Sequence, residues 1–333
     1  MLDASRPTPP AKSDPTVHAI VSEWRRLTGG KAVRDADRRT LIACSGGADS
    51  SALVLSLARH PESVAVAHVV HDMRPAPESA ACLLSARRLA EGLGLPFVSV
   101  DIAAKVEGGN YEAAARRLRY QALTRLAQQS GCRYIATAHH ADEQLETILL
   151  RLLRGAGPRG FAGIHAKRRL LTGVTLIRPM LGMSREQARE LCRACGWQWS
   201  EDASNADISR RRAAMRANVL PSLLAIEPGA AKKAAEASRL ALLAADHLDR
   251  AARALVSGAA AGEPGTFDRE RLRAADRIVL LTWLRGMDRE APLRVLESIA
   301  LAIRSSSGEP REWKLRICTL RLERARVIIR SNS

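Results

Sequence analysis

Four short stretches carry the side chains that could do chemistry. The first, Ser45-Gly46-Gly47-Ala48-Asp49-Ser50, joins an apolar run at 41–44 to a helical run at 51–57. Two glycines let the backbone approach a ligand closely, the first amides of a helix lack intrahelical acceptors, and the helix dipole favours negative charge at that end. The stretch is therefore predicted to bind an anion, phosphate above all. It lacks the lysine of a GxxxxGK[ST] loop and carries Asp49 instead. A carboxylate there repels phosphate unless a hard cation such as Mg²⁺ lies between them, which points away from γ-phosphoryl transfer.

The second stretch, TAHHADEQLET at 137–147, places His139 and His140 at the end of a buried-looking strand. Glu143 and Glu146 follow three residues apart and share a helix face. Paired acids beside phosphates can hold a metal or a cationic substrate group, and a histidine can neutralise charge that develops on a phosphate. A lone strand-end histidine and a solvated acidic face explain each group singly; the convergence of His139, His140, Asp142, Glu143 and Glu146 favours a site. In the third stretch, NYEAAARRLRY at 110–120, Arg116 and Arg119 share a helix face with Glu112 one turn before Arg116. A guanidinium fork fits a carboxylate or phosphate, while a surface Glu112–Arg116 pair explains the same spacing. The fourth, His68-Val69-Val70-His71 with Arg74 beyond it, ends another strand and reads either as ligand edge or as satisfied strand-end histidines.

Positioning these groups requires strands whose ends converge. Strand-like runs at 41–44, 64–70, 97–102, 134–138 and 176–178 alternate with helical runs at 51–57, 78–93, 111–129, 141–154 and 185–195. That alternation predicts an α/β fold, a Rossmann-like parallel sheet with helices on both faces and ligands at the carboxyl ends of the strands. The Gly-rich segment 155–163 reads as a mobile loop near that edge. Residues 1–14, rich in Pro and polar residues, read as a disordered tail, ahead of a helix at 17–27 and a catalytic domain over 15–222. Residues 223–333 read as a smaller, mainly helical domain: an Ala-rich helix at 230–260, helices at 273–285 and 292–304, and a β-hairpin pairing 313–322 with 326–330.

The 333 residues include 52 Lys and Arg against 35 Asp and Glu, a formal charge of +17 that calls for a polyanionic partner. Aromatic residues are only 3% of the chain, which excludes extensive base stacking on Phe or Tyr platforms. The six cysteines show no disulfide spacing, and neither a signal peptide nor an 18-residue apolar run is present, so a soluble cytoplasmic protein without a membrane partner is expected.

Taken together, the SGGADS loop, residues 68–74, GGNYEAAARRLRY, TAHHADEQLET leading to RLLRGAGPRGFAGI, Arg178-Pro179-Met180-Leu181, EDASN at 201–205, Arg216 and Leu220-Pro221 resemble the tRNA(Ile)-lysidine synthase family. That family belongs to the PP-loop, or N-type ATP pyrophosphatase, superfamily, and the match runs through most of 40–224. The resemblance implies an adenine nucleotide α-hydrolase-like fold and a reaction in two steps. ATP adenylates the C2 oxygen of the wobble cytidine in the CAU anticodon of tRNA(Ile), and the ε-amine of free L-lysine then displaces AMP. It implies that Ser45, Gly46, Gly47, Ala48, Asp49 and Ser50 bind ATP, that Asp49 holds Mg²⁺, and that Asp49, His139 and Arg116 are catalytic. It further places Arg116, Glu143 and Glu146 around lysine and Arg212 and Arg216 on tRNA, in a chain that could form a homodimer.

The chain departs from the family pattern where Glu143 replaces an aspartate, Ala213 an asparagine, Val70 a polar residue and Asp72 a glycine. Two alternatives accompany this reading. One is a tRNA thiolase of the same superfamily, suggested by Cys192 and Cys195; the other is a catalytically inactive RNA-binding protein on the same scaffold.

Overall fold

The structure, a computed structural model, describes residues 6–71, 76–103, 111–200 and 211–332. Arg74, Asn110 and the 201–205 stretch lie outside the described residues, as does the side chain of Glu112. Two compact units part between Arg239 and Leu240.

In the first unit, strands β1 (Thr40–Ala43), β2 (Val64–His71), β3 (Phe97–Ile102), β4 (Tyr134–Ala136), β5 (Lys167–Leu171) and β6 (Val174–Ile177) form one sheet in the order β3-β2-β1-β4-β6-β5. Every pairing is parallel except β5 with β6. From β1 the order runs outward in both directions, so the crevice beyond the carboxyl ends of β1 and β4 is a topological switch point, where open α/β sheets bind ligands. Both sheet faces are buried, as parallel sheets require. Ile42, Val66, Ala136 and Ile177 pack toward α1 (Pro15–Leu27), α2 (Ala48–Leu57) and α7 (Arg185–Ala194). Their strand neighbours Leu41, Ala67, Ile135 and Leu176 pack on the other side with Tyr120, Leu123 and Ala127 of α4 (Tyr111–Gln129). This is the period-2 alternation of a pleated strand. The remaining helices of this unit are α3 (Ala76–Gly92), α5 (Ala141–Leu152), α6 (Pro158–Phe161), α8 (Arg211–Ala214) and α9 (Leu220–Ile226), the last two joined by a π-helical turn at Met215–Val219.

Residues 6–14 are not the loose tail their composition predicts. Pro7 and Pro10 are buried, Arg6 Nε donates to the Gly92 carbonyl at 2.7 Å, and Thr8 N donates to Cys195 O at 3.0 Å. Asp14 then caps α1, accepting from Thr16 N and Val17 N. The segment gains order because its backbone finds partners at the ends of α3 and α7. The Gly-rich 155–163 segment is also fixed. Gln144 accepts from Ile164 N at 2.5 Å, and Arg151 donates to the carbonyls of Gly160 and Gly163 at 2.9 and 2.8 Å.

The helix α10 (Ala230–Ala259) carries the division between the units, whereas the shift in composition places the boundary at 222. The second unit holds α11 (Arg269–Arg273), α12 (Arg277–Met287) and α13 (Leu293–Arg304). Its four-stranded antiparallel sheet has the order β7-β10-β9-β8, formed by β7 (Thr266–Asp268), β8 (Arg311–Lys314), β9 (Cys318–Leu322) and β10 (Arg326–Ser331). The predicted hairpin is thus the centre of a larger sheet, and its first arm is two strands separated by a turn. The buried Arg269 donates to the carbonyls of Ala302, Ile303 and Ser305, so a cation meets the negative end of the α13 dipole. No helix among the described residues is long and apolar enough to cross a membrane.

Candidate active site at the carboxyl ends of β1 and β4

The SGGADS loop is held by its own last residue. The Ser50 hydroxyl donates to Gly47 O at 3.0 Å, accepts from Ser45 N at 3.1 Å and lies 3.1 Å from the Ser45 hydroxyl. Gly46 has φ +86°, and a Cβ there would stand 2.7 Å from the Cys82 carbonyl of α3, so only glycine lets the loop pass that close. Cys192 on α7 supports the loop from behind, its thiol donating to Ala48 O at 3.4 Å. The amides that open α2 receive no side-chain cap and remain available to an anion.

A cavity of about 350 Å³ opens beside this loop. Ser45, Asp49 and Ser50 line it from the loop, His68 from β2, Arg116 and Arg119 from α4, and Thr137, His139 and Glu143 from the end of β4 and the start of α5. The four stretches singled out in the sequence therefore converge. His68 is buried, with Nδ1 2.8 Å from the Cys44 carbonyl, and it also lines the cavity.

His139 Nδ1 lies 2.9 Å from the Thr137 hydroxyl. Burial, and after it the positive field of Arg178, Arg116 and Arg119, hold its pKa well below the usual histidine range. The imidazole is therefore neutral at physiological pH, a hydrogen-bonding group rather than a fixed cation. His140 behaves oppositely. Burial alone would lower its pKa, but the Asp142 hydrogen bond and the charges of Glu143 and Asp49 raise it. Its Nδ1 is 3.2 Å from Asp142 Oδ2 and its Nε2 is 3.6 Å from Asp49 Oδ2, while Asp142 also accepts from Arg185 N at 2.8 Å. The sequence places His140, Asp142 and Asp49 at the site but does not show this link between them or its extension to the start of α7. The members of the link come from three separated segments, and the HHAD pattern gave no sign of which acid His140 faces.

Asp49 has a pKa raised first by burial, against the pull of His140 and Arg185, and its Oδ1 is buried without a hydrogen-bond partner. An orphaned carboxylate oxygen in a cavity beside bare helix amides fits a hard cation. Among the described residues no group of three or more His, Cys, Asp and Glu could hold a metal alone, so such a cation would take its remaining ligands from phosphate oxygens and water, as Mg²⁺ does.

Glu146 does not join Glu143 in the cavity. Its side chain is 2% exposed, with Oε2 2.6 Å from Arg216 Nε and Oε1 3.2 Å from Arg212 Nε. The acid expected on lysine and the two arginines expected on tRNA thus bind one another, because a buried carboxylate requires compensation. Arg212 still borders the cavity, and Arg216 reaches Glu143 at 4.0 Å. Cys192 and Cys195 are buried, and burial pushes their thiols up to about 12 and about 11, which makes them packing groups rather than ready thiolates.

A profile of the PP-loop domain matches residues 20–223. The chain is 41% identical over 224 residues to a tRNA(Ile)-lysidine synthase of Salinispora tropica, covering 66% of both chains. It is 41% identical over 213 residues to the Ruegeria pomeroyi protein of the same name, covering 63% of this chain and 48% of that one. The chain thus spans about two thirds of the first relative's length and about half of the second's. A U34-tRNA thiolase from Methanococcus maripaludis shares the fold at 14% identity, with a TM-score of 0.55 over 68% of this chain and 78% of that chain. With its loop, its sheet order and the profile in agreement over the same residues, this chain belongs to the PP-loop family of ATP-using domains.

Proposed function

We propose that this protein is a tRNA(Ile)-lysidine synthase. The observation that carries the reading is the shared cavity of the phosphate loop, His139, Glu143 and Arg116, supported by the names of its relatives over the same domain. The loop amides of α2 bind the β- and γ-phosphates as a leaving group, which a loop without the GK[ST] lysine suits. Mg²⁺, when bound at Asp49, would neutralise phosphate charge that the carboxylate alone would repel. The C2 oxygen of the wobble cytidine attacks the α-phosphorus, and the bond to pyrophosphate breaks. His139 donates a hydrogen bond to the phosphate in this step, and its neutral form needs no compensating anion within the cavity. The lysine ε-amine then attacks C2, the C2–O bond breaks, AMP leaves with that oxygen, and the amine loses a proton.

Glu143 receives a lysine amine and Arg116 its carboxylate, both being within the cavity wall. Glu146 acts one step removed, holding Arg212 at the rim and Arg216 beside Glu143. Arg212 and Arg216, both part-exposed, are placed to meet the anticodon arm.

The test is incubation of the protein with ATP, Mg²⁺, labelled lysine and a tRNA(Ile) transcript bearing CAU. Label in the tRNA with AMP formed in equal amount is expected, and its absence refutes the proposal. Asp49→Asn is expected to abolish AMP formation while tRNA binding, read by filter retention, is kept.

A further inference from the structure

Beside the cavity runs a second, open groove of about 660 Å³ between α4 and the edge strand β5. Arg116, Arg117 and Arg125 line it from α4 and Arg168 from β5, with the amides of Gln121 and Gln128 between them. Among the described residues no carboxylate lines it, and these four guanidiniums make no ion pair or hydrogen bond. The guanidiniums of Arg116 and Arg168 instead crowd one buried ring, 5.3 and 5.2 Å from the centroid of Tyr120. Cation–π attraction offsets only part of their mutual repulsion, so this face is built for an anion from outside.

Arg116 and Tyr120 line both the cavity and the groove, so the two adjoin at these side chains. From Arg116 to Gln128 the helix rises about 18 Å, on the order of five stacked nucleotide steps. Arginine forks and glutamine amides are the donors that contact phosphate oxygens without reading sequence. We propose that this groove is a track for the RNA phosphodiester backbone, holding the strand that flanks the nucleotide in the cavity. The proposal rests on the reading of the cavity as a tRNA site. Cations also protect an edge strand from pairing with other chains, which accounts for charge on β5 but not for Arg117 and Arg125 on the helix.

The experiment compares the unmodified full chain with R117Q/R125Q/R168Q and R117K/R125K/R168K. It measures anisotropy of a labelled CAU anticodon stem-loop across a salt series, without ATP or lysine. The Gln variant is expected to bind about tenfold to a hundredfold more weakly, with the slope of log K against log salt reduced by about 2, and the Lys variant to keep most of that slope. ATP affinity, which does not pass through these residues, is expected to be unchanged and certifies the fold. An unchanged slope in the Gln variant overturns the track even if lysine is incorporated, and a reduced slope upholds it even if lysine is not. Loss of polyglutamate binding with RNA binding intact also overturns it, in favour of an acidic protein partner.

Discussion

Two groups of arginines in the first unit have nearly the same composition and opposite surroundings. Arg212 and Arg216 sit on Glu146, a carboxylate whose side chain is 2% exposed, whereas Arg116, Arg117, Arg125 and Arg168 face an open groove that no described acid lines. Net charge does not separate them, since both contribute to the same +17. What separates them is the location of the counter-charge. In the first group it is internal, so the arginines answer for folding and for the shape of the cavity rim. In the second no described residue lining the groove supplies it, so they project a field into the cavity and onto whatever anion arrives.

The largest expected effect is on the paired group. In R212M/R216M the Glu146 carboxylate stays buried and loses both cations, and uncompensated buried charges of this kind cost about 3 kcal/mol. The two arginines are themselves 47% and 38% exposed, so each single substitution, which leaves the other cation in place, is expected to cost about half as much. Urea unfolding measures this. R117Q/R125Q/R168Q in the same assay is expected to stay within about 0.5 kcal/mol of the unmodified chain. Similar losses in both variants would erase the distinction.

The next effect reads the unpaired group through His139. Burial first, then Arg178, Arg116 and Arg119, depress its pKa in the folded protein, so below about pH 6.5 the unfolded chain binds a proton that the folded chain refuses. That contribution lowers stability as pH falls through the unfolded value and vanishes above it. Arg116→Gln weakens the field, so the His139 midpoint in a histidine-ring NMR titration is expected to rise and the acid-side loss of stability to shrink. Arg212→Gln, whose guanidinium is not among the leading charges acting on His139, is expected to shift the midpoint much less. An equal response to both would mean that net charge rather than placement sets the field.

The paired group also shows where the sequence stops being legible. The SGGADS loop could be read directly, because two glycines, a bare helix start and an acid are local features whose consequences lie within a few residues. The same holds for the sheet, whose short strand-like apolar runs between helical ones predict the strands that line the site. The spacing of Glu146 from Glu143 is local and shows a shared helix face, and the family resemblance puts both on lysine; the arginines that claim Glu146 lie in a helical segment reached only after α7. The link from His140 through Asp142 to the backbone at Arg185 is hidden for the same reason. Strand β5 escaped because Lys167, Arg168 and Arg169 break the apolar pattern, which an edge strand with one partner can do without burying a charge.

The smallest effect is the most exacting test of the groove. Arg169 follows Arg168 on β5 and carries the same charge, is exposed like it, and stands one residue farther along the same edge. Successive residues of a strand face opposite sides of the sheet, and Arg168 lines the groove while Arg169 does not. If RNA were held by the general positive surface, Arg168→Gln and Arg169→Gln would weaken stem-loop binding alike, because each removes one charge at nearly the same place. A backbone track distinguishes them. Arg168→Gln is expected to lower the salt slope by about 1 and affinity by several-fold, and Arg169→Gln to change affinity by less than about twofold with the slope intact. Equal slopes for the two variants would return the arginines of α4 and β5 to a diffuse electrostatic role and leave only the paired group with a defined place.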